Sequence, residues 1–200
     1  MRIYIRHAPE IKRSLLTQLK DDPEIQQSAI QSCQRLCSQL IDRFGRPTKI
    51  ISSPLARCRL TAVAMAEQLN MDVEYDPQIS THIQDEDVDI SWDSLRHSIP
   101  IGESSYQFEH RIRCHNDSVR CYDSSRKPVW IITHGIVISK VMNAMGFKTI
   151  TFPYLASIVI REDNSFKSHT NAQGNTHCRS KKIIIKGEVL TKDQSRKLIR

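Results

Sequence analysis

The 200-residue chain has no run of about 18 apolar residues, the length that a membrane-crossing helix needs. Its first ten residues, MRIYIRHAPE, form a charged strand-like segment and lack the apolar stretch of a secretory leader. Neither membrane insertion nor secretion is indicated, and the sequence points to a cytoplasmic location, with a nuclear one as the alternative. The six cysteines, at 33, 37, 58, 114, 121 and 178, form no C-x-x-C pair and no disulfide-like spacing, so they read as reduced thiols. His110, Cys114, His115 and Cys121 can be drawn as a cluster, but their spacing matches no common zinc pattern. No metal ion or cofactor is expected. Internal repeats and low-complexity tracts are also missing. A 39% hydrophobic content over this length suits one α/β domain with a substantial core and leaves a second full domain cramped.

Positive charge is unevenly placed. Residues 171–200 hold eight Lys or Arg against two acidic residues, a net of +6 out of +7 for the whole chain. The sequence therefore divides into a nearly neutral body, 1–170, and a basic C-terminal extension, 171–200. An acidic protein partner, nucleic acid or an anionic membrane surface would suit that extension electrostatically, and a solvated tail that aids solubility is the alternative. Aromatic residues are not interleaved among these cations, so base stacking has no platform. KKIIIKGEVL (181–190) has a strand-like apolar core and reads as an added edge strand.

Three short segments carry chemistry. Each follows a strand-like run: IYI (3–5) leads into Arg6-His7, KIIS (49–52) into SSPLARCRLTA (52–62), and VWIIT (129–133) into His134-Gly135. A phosphoryl group spreads negative charge over its outer oxygens, so its transfer depends on positioning and on surrounding cations. Arginine meets that need with a planar fork that stays charged at every working pH. A histidine flanked by Arg6 and Arg57 is pushed toward the neutral form that can attack phosphorus.

Together these segments resemble the histidine phosphatase superfamily, also called phosphoglycerate mutase-like. Its signature is a strand ending in Arg-His, an S-S-P-x-x-R segment, and a strand ending in His-Gly. The resemblance implies a phosphate pocket of Arg6, His7, Arg57 and His134, with Gly135 beside the substrate. It implies a metal-independent phosphatase acting on a phosphoprotein or small phosphoester through a phosphohistidine on His7. A phosphate-binding protein without turnover, or a basic binding protein on the same fold, is the alternative. PIGESSYQFEHR (100–111) is similar to the P-x-G-E-S-x-x-D-x-x-x-R segment of the sugar bisphosphatase branch. Ser104 reads there as a helix N-cap, with Phe108, Ile112 and Val119 on one face. Glu103 and Arg111 are candidates for substrate contact, with capping and an ion pair as the competing reading.

The proton donor fits the family pattern less well. Members that cleave alkyl phosphates carry an acid in a segment like L-x-E-x-x-x-G-x-W-x-G. Counting from Ile79 places it at Thr81, whereas counting back from Trp92 places it at Glu86. Glu86 is the better choice, because a surface-loop insertion costs little; Asp85 and Asp87 flank it. If 85–89 is only a solvated acidic loop, substrates with good leaving groups are favoured. The usual glycine after the first histidine is Ala8 here. The Trp-Asn of the mutase pattern is missing from APEIKRSLL (8–16), so hydrolysis is favoured over mutase activity.

The periodicity predicts strands at 2–6, 48–52, 72–75, 128–133 and 156–161. Helices are predicted at about 24–44, 55–70, 103–122 and 135–145, with an irregular acidic loop at 80–98. Cys33 and Cys37, one turn apart, are expected to face the sheet. This alternation predicts an α/β three-layer sandwich, a mostly parallel central sheet with helices on both faces. Its ligand site is expected outside the carboxyl ends of the strands.

Overall fold

The computed structural model describes residues 1–11, 22–83, 98–147, 151–162, 181–185 and 188–190. The strands are β1 (Arg2–Arg6), β2 (Lys49–Ser52), β3 (Val73–Tyr75), β4 (Val129–Thr133), β5 (Ser157–Glu162), β6 (Lys181–Ile185) and β7 (Glu188–Leu190). The helices are α1 (Ala29–Phe44), α2 (Ala56–Leu69), α3 (Ser105–Ser118) and α4 (Gly135–Ala144). All seven strands join one sheet in the order β3-β2-β4-β1-β5-β6-β7. β3, β2, β4 and β1 run parallel to one another, and β5, β6 and β7 continue the sheet antiparallel. Of the basic extension, only β6 and β7 fall within the described residues, and there KKIII pairs with β5.

Side chains on successive strand residues point to opposite faces, and in this sheet both faces are apolar. Ile3, Ile5, Ile50, Trp130 and Ile132 pack on the α1 and α2 side with Cys33, Cys37 and Met65. Tyr4, Ile51, Val129, Ile131 and Ile158 pack on the other side with Phe108 and Ile112 of α3 and Val137 and Val141 of α4. This explains why the strands read as continuous apolar runs, and it gives the three layers expected. Removing one such side chain, as in Ile5→Ala, costs about 2–5 kcal/mol.

The register of β1 with β4 sets Arg6 beside Thr133, and that of β2 with β4 sets Ser52 beside Ile132. Three chain segments therefore leave the sheet together at the carboxyl ends of β1, β2 and β4, carrying His7, Ser53 and His134. α1 starts at Ala29 rather than near residue 24. Residues 22–26 instead run extended beside 9–11, with Ile11 N–H donating to Glu24 O at 2.8 Å and Gln26 N–H to Pro9 O at 2.9 Å. This pairing is long-range and overrides local helix propensity. At α3 the Ser104 hydroxyl accepts from Gln107 N–H while the Gln107 side chain accepts from Ser104 N–H, a complete capping box.

Candidate active site

The parallel ladder continues one residue beyond the strands. His7 N–H donates to Thr133 O at 2.9 Å and Ser53 N–H to Ile132 O at 3.0 Å. This fixes the backbone on which the site is built. Ala8 N–H donates to the Thr61 hydroxyl at 2.9 Å, which itself donates to Arg57 O at 2.7 Å. The loop after β1 is thereby tied to the first turns of α2.

His7 is buried, 4% exposed. Its Nδ1 lies 2.8 Å from the Ala8 carbonyl, which can only accept, so Nδ1 carries the proton and Nε2 the lone pair. Burial lowers its pKa from 6.5 to about 3, helped by the positive charge of Arg57 and Arg6 and opposed by the bond to Ala8 O. The imidazole is thus neutral. His134 faces it, with ring centres 5.3 Å apart and planes at 61°. Its Nε2 lies 3.1 Å from Ser53 Oγ and 3.3 Å from Cys58 Sγ. Burial holds its pKa well below 6.5, and Arg57, His7, Arg6 and Arg111 push the same way.

Arg57 stands in the first turn of α2, its Nε 3.4 Å from Glu10 Oε2 and its Nη1 3.6 Å from Asp22 Oδ1. The Asp22 carboxylate accepts from Ala56 N–H through both oxygens, at 2.9 and 2.8 Å, where the α2 dipole favours negative charge. Arg6 is held differently. Its Nη1 donates to Phe152 O, and its guanidinium lies 4.1 Å from the centre of the Tyr154 ring. That ring sits in a turn closed by Ala156 N–H donating to Pro153 O, with Leu155 at φ 57°. Arg6 Nε is buried and has no hydrogen-bond partner among the described residues. A buried donor without a partner among the described residues is uncommon.

Arg6, His7, Arg57, His134 and Gly135 all line one cavity of about 520 Å³. Five of the residues singled out in the sequence are thus brought together. Glu103 is not among the residues lining that cavity. It pairs with Arg111, through Nε at 3.0 Å and through Nη2, and Arg111 also donates to Ser80 O at 3.1 Å. The pair ties α3 to the segment after β3. Glu86, Asp85 and Asp87 lie outside the described residues. Thr81, the other position considered for the acid, is in the cavity wall.

Sequence reasoning missed Glu10, Asp22, Ser53, Cys58 and Tyr154 as parts of this site. Glu10 had a signal, since it lies three residues beyond His7 in the same loop. Asp22 and Tyr154 had none, because they reach Arg57 and Arg6 from far along the chain.

Several solved structures share the fold at low sequence identity. The protein histidine phosphatase SixA complexed with tungstate aligns with a TM-score of 0.54 at 13% identity, over 82% of this chain and 89% of that one. A mycobacterial glucosyl-3-phosphoglycerate phosphatase complexed with VO3 aligns at 0.58 and 15%, over 80% and 90%. The ecdysone phosphate phosphatase from Bombix mori, in complex with tungstate, aligns at 0.59 and 13%, over 80% and 88%. No curated protein matches the chain in sequence. The model of the histidine phosphatase superfamily (branch 1) matches residues 3–157, a stretch running from β1 to the start of β5 and including every cavity residue named above, and the chain belongs to that superfamily.

Proposed function

We propose that the chain is a metal-independent phosphatase that hydrolyses a phosphomonoester or phosphoprotein through a phosphohistidine on His7. The observation that carries this reading is the 2.8 Å contact of His7 Nδ1 with the Ala8 carbonyl, which fixes the tautomer because a carbonyl can only accept. With Nδ1–H committed to the Ala8 carbonyl, Nε2 is a nucleophile at the wall of a cavity that also holds two arginines.

In the first step Nε2 attacks phosphorus, forming the N–P bond as the ester P–O bond breaks. The departing oxygen takes a proton from an acid, the role expected of Glu86. Arg6 and Arg57 hold the equatorial oxygens, with the unpartnered Arg6 Nε as one donor, and His134 lends a ring N–H opposite His7. Gly135 lets Arg6 lie close to the start of α4. In the second step water attacks phosphorus and gives its proton to the acid's conjugate base. The N–P bond breaks, and phosphate leaves with His7 neutral again. His7 and His134 follow the carboxyl ends of the parallel strands β1 and β4, where α/β sheets bind ligands, and this supports the reading.

The test is hydrolysis of p-nitrophenyl phosphate without added metal by wild-type and His7→Ala protein, with trapping of acid-labile phosphate on the wild type. Turnover and trapped phosphate should both vanish with His7. Turnover that survives His7→Ala would remove the reading.

A further inference from the structure

We propose that the cavity extends past the phosphoryl pocket into a second, anion-selective subsite on α4, so that the substrate is a small phosphomonoester carrying another anionic group. The orientation rests on the phosphatase reading, which puts the phosphoryl end at His7.

Ile136, Ser139, Lys140 and Asn143 line the same cavity as His7. Their spacing of three and four places them along one face of α4, leading away from Gly135. Lys140 is five residues beyond Gly135, about 7.5 Å along the helix axis. The wall there is mixed, with Ser139 and Thr151 beside an apolar patch of Ile136 and Phe152. Ile136 is 43% exposed, and Phe152, itself buried, lines the cavity too. Exposure of a branched aliphatic residue inside a cavity suits the carbon skeleton of a ligand better than it suits water.

Charge gives the far end its selectivity. The one carboxylate among the described lining residues, Glu10, is committed to Arg57 at the phosphoryl end. Lys140 is the cation of the helix stripe. Its ammonium pairs with Glu109 on α3, whose side chain is 47% exposed, and its own side chain is 29% exposed. An ion pair this wet is weak and exchangeable, so a ligand carboxylate or second phosphate can compete with Glu109 for the ammonium. Ser139 is not available for that role in the same way, since its hydroxyl donates to Gly135 O at 3.0 Å. The resulting ligand has a phosphoryl group at the arginines, an apolar body over Ile136 and an anion at Lys140. A cavity of about 520 Å³ is the size of small-molecule sites.

The experiment is calorimetric binding of two non-hydrolysable probes, hexylphosphonate and the phosphonate of the same chain length ending in a carboxylate. Wild-type protein should favour the carboxylate probe by about fivefold, the strength of a partly exposed ion pair. Lys140→Gln should bring the ratio of the two dissociation constants to about one, and Glu109→Gln, which frees the ammonium, should raise it above the wild-type value. A wild-type ratio near one, or a ratio that Lys140→Gln leaves unchanged, overturns the subsite. A purely structural Lys140–Glu109 pair would lower Tm in both variants and move neither ratio. Because phosphonates need no turnover, a chain that shows the expected ratios yet hydrolyses nothing would sink the phosphatase reading alone; one that binds neither probe would sink both.

Discussion

A β-carbon at position 135 would stand 3.3 Å from Cδ and 3.4 Å from Nε of Arg6, closer than side chains normally approach. Arg6 has little room to yield, because Phe152 O and the Tyr154 ring also hold its guanidinium. The glycine therefore serves the arginine rather than the helix. Gly135→Ala should lower kcat/KM about tenfold by displacing the guanidinium from the phosphoryl group. Stability should hold or rise slightly, since alanine suits a helix better than glycine does. Steady-state kinetics with a thermal melt separates the two effects, and a variant with full activity would contradict the close contact.

Arg57→Ala should reduce turnover about 100-fold or more by removing a transition-state clamp. It should also cost stability, because the fully buried Asp22 carboxylate loses the Arg57 guanidinium 3.6 Å away. Arg57→Lys restores the charge without the fork and should recover stability more than rate. Equal recovery of both would assign Arg57 a structural role.

The histidines give the site a definite response to acid. Both His7 and His134 are held below their ordinary value in the folded chain, His7 at about 3. An unfolded chain binds protons at these residues as pH falls through about 6.5, while the native one does not. Stability is therefore full above that pH and is lost progressively between about 6.5 and 3. Nitrogen NMR of the imidazoles should show His7 in the Nδ1–H form well below pH 6.5. Ordinary titration of His7 near 6.5 would break the link between its burial and its neutrality.

Much of the site could be read in the sequence because its residues are adjacent to the strands that position them. IYI, KIIS and VWIIT are buried on both faces, so their apolar runs stand out, and the residues that follow each run fall at the carboxyl end of the strand. What could not be read depends on pairings between distant segments. The start of α1 was misplaced because residues 22–26 pair with 9–11, and Asp22 acts on Ala56 across 34 positions. Tyr154 reaches Arg6 through a turn in which Leu155 takes a positive φ, a conformation that nothing in PYLA advertises. For Glu103 and Arg111 the segment left substrate contact and an ion pair open, and the structure has the ion pair.

At the other end of the strands, Arg2 and Asp123 form a fully buried bidentate pair at 2.6 and 2.8 Å, with Arg2 also donating to Asn116 Oδ1 at 2.9 Å. Removing one partner strands a buried charge. Asp123→Asn should cost about 3 kcal/mol in urea unfolding. Arg2 is four strand residues, about 13 Å, from Arg6, so turnover of the folded fraction should change little. A large loss of kcat at a temperature where the variant is folded would show that the two ends of β1 are coupled.

The dependence on leaving group identifies the proton donor. An alkyl alcohol leaves poorly without a proton, whereas p-nitrophenol leaves readily, so loss of a general acid must fall on alkyl phosphates. Glu86→Ala should reduce kcat/KM about 100-fold on an alkyl phosphate and less than about tenfold on p-nitrophenyl phosphate. Two features of the cavity sharpen the comparison: Thr81, in the wall, offers no acid, and Glu10 is the carboxylate found there among the described residues. Glu10→Gln should weaken both substrates alike, because its contact is with Arg57, which serves the phosphoryl group common to both. If the selective loss on alkyl substrates follows Glu10 and not Glu86, the donor comes from the loop that carries His7. Equal losses in the Glu86 variant would leave the chain dependent on substrates whose leaving groups need no proton.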